Sequence, residues 1–150
     1  MITIINKSRP GELWEKILLK SITTHEKLSP LFDVNEREIK AVFSRYPMCI
    51  NPYYLSLIKE QGDPLYKQAI PDIKELTDEI GLEDPLNEEA LSPVPGLTHK
   101  YPDRVLFLIS SRCPMYCRFC NRKRKVGQSS MVTRETIREG LSYIRGNRKI

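Results

Sequence analysis

The chain has 150 residues, 40% hydrophobic and 29% charged, the composition of a soluble globular protein of about one domain. Its longest uninterrupted apolar run, Val105 to Ile109, is far below the roughly 20 residues that span a bilayer, and its N-terminus has no signal-peptide layout, so a cytoplasmic protein without membrane contact is expected. The net charge of +5 hides an asymmetry: residues 118–150 hold ten Lys or Arg against two acids, whereas residues 1–117 are mildly acidic. An anionic partner is therefore expected to meet the C-terminal part, and charge alone does not choose between nucleic acid, small carboxylates or phosphates, and an anionic cofactor.

In chain order, Leu13, Trp14, Ile17, Leu18 and Ile22 recur at helical spacing within Glu12 to Ile22 and predict a helix with one buried stripe. A second helix is expected from about Val34, with Asn35 as cap, Glu36 and Glu38 at its positive end, an apolar face of Ile39, Val42 and Phe43, and a stop before Pro47. Asn51-Pro52 reads as the N-cap and first turn of a third helix carrying Tyr53, Tyr54, Leu57 and Ile58, with the tyrosines packing in the core. Asp63-Pro64 opens a further short helix, and Ile73, Leu76 and Ile80 predict one more amphipathic helix ending at Gly81.

Residues 1–83 thus form a helical N-terminal region. Pro85, Pro93, Pro95 and Gly96 forbid a long helix over residues 84–102, which read as an extended connector and domain boundary. Val105 to Ile109 lacks alternation, as expected for a parallel strand covered on both faces. A loop rich in Cys, Arg and Lys follows over Ser110 to Gln128. Thr133 then caps a helix whose Ile137, Leu141 and Ile144 share a face and which ends at Gly146-Asn147. Strand, loop and helix in that order make one unit of an α/β barrel, where chemistry sits on loops at the C-terminal ends of strands. The α/β class is assigned on that basis, with residues 103–150 beginning a core domain that one unit cannot close.

Three of the four cysteines fall within eight residues, an odd pattern for a disulfide framework. Cys113, Cys117 and Cys120 space three soft thiolates by three and then two residues, so that a compact loop can wrap three corners of an iron-sulfur cube. The fourth iron is left open to bind a small molecule. A structural zinc site is the competing reading, with Cys49 and His99 as the candidates to complete it.

This Cys-x3-Cys-x2-Cys pattern, with Phe119 just before the last cysteine, resembles the signature of the radical S-adenosylmethionine (SAM) superfamily. The stretches Asn51 to Ile58, Lys67 to Pro71, Asp84 to Leu86, Ser92 to His99 and Tyr101 to Arg104 further resemble the lysine 2,3-aminomutase family. Together with Met115 to Arg118 and the basic run after Cys120, they cover most of residues 50–130. The loop departs from the best-known aminomutases at Phe119, where they carry histidine, and at Asn121, where they carry threonine. Lys100 stands where arginine is more usual.

The resemblance implies the first β/α unit of a radical SAM partial (β/α) barrel and an amino-group shift between adjacent carbons of an amino acid, L-lysine to β-lysine foremost. SAM serves as radical source, and pyridoxal phosphate (PLP) holds the migrating nitrogen. It implies that Cys113, Cys117 and Cys120 bind a 4Fe-4S cluster, Phe119 lies by the adenine of SAM, Tyr101 and Arg104 approach PLP, and Arg122 clamps the substrate carboxylate through a planar guanidinium. Lys123, Arg124 and Lys125 are expected to be surface or structural. It further implies an external electron donor such as flavodoxin or ferredoxin, homo-oligomers, and no role for nucleic acid. The glycine-rich SAM-binding strand and the lysine that joins PLP are expected beyond Ile150, making the chain an N-terminal part inactive alone, with no catalytic residue of its own. The alternatives are a small metal-binding module that uses the basic run Arg118 to Lys125 on nucleic acid, and a non-catalytic remnant that assembles with full-length relatives.

Overall fold

A computed structural model of the chain describes residues 14–150, which fall into two compact units. The expected positions Glu12 and Leu13 of the first helix lie outside the described residues. One unit holds the described residues up to Glu79 together with Pro114–Lys123, and the other holds Ile80–Cys113 and Arg124–Ile150.

The first unit contains α1 (Trp14–Leu19), α2 (His25–Leu28), α3 (Glu36–Arg45), α4 (Pro52–Leu57), α5 (Pro64–Ala69) and α6 (Lys74–Thr77). Three of these helices begin at local caps that absorb otherwise unpaired backbone N–H groups. Asn35 Oδ1 accepts from Arg37 N at 3.1 Å and Glu38 N at 3.4 Å, opening α3. Asn51 Oδ1 accepts from Tyr54 N at 2.8 Å and Asp63 Oδ1 from Tyr66 N at 2.6 Å, each followed by a proline whose missing N–H costs nothing at the first helical position. The buried faces of α2 to α5 meet around Leu28, Ile39, Ile50, Leu55, Ala69 and Ile70. A two-bond bridge between Ile22 and Ile50, at 2.8 and 3.0 Å, ties the segment after α1 into this core. Each large side chain buried here contributes about 1.5–3 kcal/mol. Of the tyrosine pair, Tyr54 packs on the core as expected, but Tyr53 is exposed.

The expected helix through Gly81 is cut to the four residues of α6. Asp72 Oδ1 accepts from Lys74 N at 2.9 Å and starts a turn, but Ile80 is 94% exposed, so the stripe has nothing to bury against. Short helices depend on such packing.

In the second unit, β1 (Leu97–Tyr101) and β2 (Arg104–Phe107) pair antiparallel through the turn residues Pro102 and Asp103. This corrects the expectation of a parallel strand over Val105 to Ile109 covered on both faces. Arg104 and Leu106 are exposed, Val105 and Phe107 half-buried, and Ile109 is 70% exposed. A two-residue turn closes this pairing at little loop entropy, whereas a parallel partner needs a crossover of a dozen or more residues. The two-stranded antiparallel sheet is the one sheet found among the described residues, and no barrel unit is formed there. Gly96, at φ +76°, makes the bend that lets its carbonyl accept from Leu108 N at 2.8 Å.

A 3-10 turn (Ser129–Met131) leads into α7 (Arg134–Gly146). Thr133 and Thr136 exchange side-chain to backbone bonds at 3.2 and 2.9 Å, a capping box where the sequence predicted a simple cap. On α7, Gly140 is buried against the Phe107 ring, and the Tyr143 hydroxyl lies 2.6 Å from His99 Nδ1 with the rings edge to face. These contacts seat α7 on the hairpin.

Candidate metal centre

No disulfide joins any of the four cysteines among the described residues. Cys117 and Cys120 are half-buried in the first unit and share a turn in which Cys120 N donates to Cys117 O at 3.1 Å. Cys113 is exposed and is the last residue of its segment in the second unit. Among the described residues, no three His, Cys, Asp or Glu side chains are gathered as a ready-made metal site. In many metal sites the binding energy of the metal itself draws such ligands together. The donor chemistry fits a cluster in other respects. The thiols of Cys113, Cys117 and Cys120 are exposed or half-buried, and Cys120 Sγ accepts a backbone hydrogen bond from Arg122 N at 3.3 Å, the kind of bond that tunes cluster sulfurs. Nδ1 of His99, the second candidate zinc ligand, is engaged by the Tyr143 hydroxyl.

The segment Pro114–Lys123 is fastened to the first unit at successive points. Asn51 Nδ2 donates to Pro114 O at 3.0 Å, so one side chain both caps α4 and tethers the loop. Met115 packs on the core, Tyr116 N donates to Cys49 O at 2.9 Å, and Arg118 N donates to Gln68 O at 2.8 Å. The Arg118 side chain is 3% exposed. Its Nε and Nη2 donate to the two oxygens of Glu75 at 2.9 and 2.7 Å, and Nη1 donates to Pro47 O at 2.9 Å. Lys123 Nζ donates to Glu75 Oε2 at 2.9 Å while lying 4.1 Å over the Tyr46 ring. Burial, the largest single influence on Glu75, pushes its carboxyl up, but the hydrogen bonds and charges of Arg118 and Lys123 together hold it below the usual carboxylate range. The Tyr54 phenol is pushed up by burial first and then by nearby Cys117 and Asp63, so it stays a neutral donor within 3.2 Å of both Leu65 O and Gln68 Oε1.

The remaining candidate residues are distributed as follows. Phe119 is 75% exposed, with its ring offered to solvent, and Arg122 is half-buried. Tyr101 and Arg104 are brought together in the second unit, the guanidinium 5.0 Å from the ring centroid and 3.3 Å from Asp103. Arg124 forks between Asp84 and Glu89, each at 2.8 Å, and Lys125 lies 3.6 Å from buried Glu88. Lys123, Arg124 and Lys125 are thus each paired with a carboxylate of their own unit.

Sequence reasoning missed Glu75, Pro47 and Gln68 as partners of the loop. Glu75 is 43 residues from Arg118, and the one signal available was the acidic balance of the N-terminal part against the basic run.

No protein-family model matches the chain. An L-lysine 2,3-aminomutase of Methanococcus maripaludis is 48% identical to it over 139 residues, covering 88% of this chain and 32% of the relative. One of Clostridium subterminale is 44% identical over 136 residues, covering 88% and 33%. A glutamate 2,3-aminomutase of Clostridioides difficile is 38% identical over 139 residues, covering 89% and 33%. These names define one class, the amino-acid 2,3-aminomutases. The chain is similar to these 2,3-aminomutases over most of its own length, and it spans about a third of the length of the curated relatives it matches.

Proposed function

We propose that this chain carries the cluster-binding part of a cytoplasmic radical SAM, PLP-dependent 2,3-aminomutase that acts on an amino acid, L-lysine foremost, and whose complete core is a partial (β/α) barrel. The observation that carries this reading is the Cys113, Cys117, Cys120 spacing within a chain 38–48% identical to lysine and glutamate 2,3-aminomutases. When bound, the cluster and SAM supply a carbon radical, and PLP supplies the π-system across which nitrogen moves.

The chain's own residues would act as follows. Cys113, Cys117 and Cys120, as thiolates, hold three irons and leave one for SAM. Phe119 offers a flat apolar face to an adenine. Arg122 grips an α-carboxylate with parallel N–H donors, which fixes the substrate's backbone end whatever its side chain. Tyr101 and Arg104 present an aromatic hydroxyl and a cation to the phosphate or ring of PLP. An external one-electron donor such as a flavodoxin or ferredoxin and a homo-oligomeric assembly complete the reading.

The nucleic-acid alternative draws little from the basic run, because Arg118, Lys123, Arg124 and Lys125 are each held by carboxylates of their own unit. Anaerobic reconstitution with iron and sulfide, followed by EPR with and without SAM, tests the proposal. A reduced-cluster signal that SAM perturbs is expected. Tightly bound zinc and no cluster would refute it.

A further inference from the structure

We propose that Glu75 is a positioning residue for the cluster loop, acting through Arg118 to set the Cys117–Cys120 turn before iron binds. This rests on the reading that those cysteines hold a cluster. Arg118 stands between the two thiols, on a loop where an arginine would ordinarily extend into water. Its side chain is instead almost fully enclosed, with all three guanidinium nitrogens donating: two to Glu75 and one to Pro47 O.

A buried ion pair contributes little net stability over a well-packed apolar pair, because desolvating both charges offsets most of their attraction. What the planar fork adds is direction, since two parallel bonds fix the guanidinium plane and with it the backbone that carries it. That backbone is pinned on both sides as well. Tyr116 N is bonded to Cys49 O, Arg118 N to Gln68 O, and Lys123 Nζ to the same Glu75 carboxylate. The anchors at residues 116, 118 and 123 bracket Cys117 and Cys120, and leave both thiols half-exposed. One carboxylate on α6, far off in sequence, thereby serves both ends of the two-cysteine turn.

The test uses the 150-residue chain, reconstituted anaerobically with iron and sulfide, and reads iron release to a chelator, the reduced EPR spectrum and far-UV circular dichroism. Glu75→Gln removes the charge with little change of shape, and Arg118→Lys keeps the charge but loses the fork. Both are expected to keep the helical dichroism and to release iron about 10- to 100-fold faster than the wild type, matching the loss of metal affinity typical when residues supporting metal ligands are changed, with an altered EPR line shape. Glu75→Asp, which restores the charge, should recover part of the loss. Glu88→Gln, the matching change at the Lys125 pair in the other unit, should release iron at the wild-type rate. If Glu75→Gln loses its helical signal, Arg118→Lys decides. Wild-type release in folded Glu75→Gln or Arg118→Lys, or equal acceleration by Glu88→Gln, overturns the inference and leaves the cluster reading intact. A wild-type chain that takes up no cluster overturns both.

Discussion

The basic run from Arg118 to Lys125 is secured by two carboxylate sets of different character. In the first unit, one Glu75 carboxylate, 12% exposed, serves both Arg118 and Lys123. In the second, Arg124 divides itself between Asp84 and Glu89, the latter 65% exposed. Three similar residues in sequence thus become a buried clamp and a fork with one exposed arm, and partners far away in the chain decide which. Solvent sets the energetic difference. Exposed pairs exchange protein contacts for water almost evenly, whereas breaking a buried pair strands a charge.

The largest effect that would sharpen this contrast is Arg118→Met, which leaves the Glu75 carboxylate with Lys123 and the Asp72 N–H and without its guanidinium partner. It should destabilise the first unit by about 3 kcal/mol, the low end for a broken buried pair, in urea unfolding followed by circular dichroism. A loss no larger than that of Glu89→Gln would break the contrast.

Asn51 comes next, since one side chain both caps α4 and tethers Pro114. Asn51→Ala should cost about 2 kcal/mol, and Asn51→Asp, which keeps the cap but has no donor for Pro114 O, about half as much. Equal losses in the two variants would show that the tether contributes nothing.

In the second unit, a Cβ at Gly140 would run into the Phe107 ring. Gly140→Ala should therefore lower stability by about 1 kcal/mol net of the helix propensity that alanine adds, and Phe107→Leu added to it should recover part of that loss. Stabilisation by Gly140→Ala would mean that the ring gives way freely. Glu89→Gln, at the exposed arm of the fork, should cost less than about 0.5 kcal/mol and less still in high salt.

Acid pH tests the same clamp by another route. The folded-state pKa of Glu75 is lowered, so its contribution is fully present above the ordinary glutamate range and is lost as pH falls through the lower, folded value. Stability should be nearly level above about pH 5 and decline below it, and Glu75→Gln should flatten that decline. A residual slope from Asp63 and Asp84, also lowered, is expected to remain.

What could be read in the sequence follows the range of each interaction. The caps at Asn35, Asn51, Asp63 and Thr133 were legible because a cap is settled within four residues. The Cys113, Cys117, Cys120 spacing is equally local, but among the described residues no three such side chains are gathered as a metal site. The β1–β2 hairpin was not legible, since an apolar run without alternation suits a two-sided parallel strand equally well, and Pro102 read as the end of a connector rather than as part of a turn. The shortening of α6 was hidden because the fate of Ile80 depends on what it packs against. The Glu75–Arg118 clamp was hidden because nothing near either residue announces the other.

On the function proposed above, Cys113, Cys117 and Cys120, and not Cys49, hold one cluster. Reconstituting the wild-type chain and the four single Cys→Ala variants side by side, with iron and acid-labile sulfide counted per chain, tests it most directly. About four irons per chain are expected in the wild type and in Cys49→Ala, with loss of most of that iron when any of the other three is replaced. A chain that binds zinc instead, or in which Cys49→Ala loses iron as readily as the rest, would contradict it.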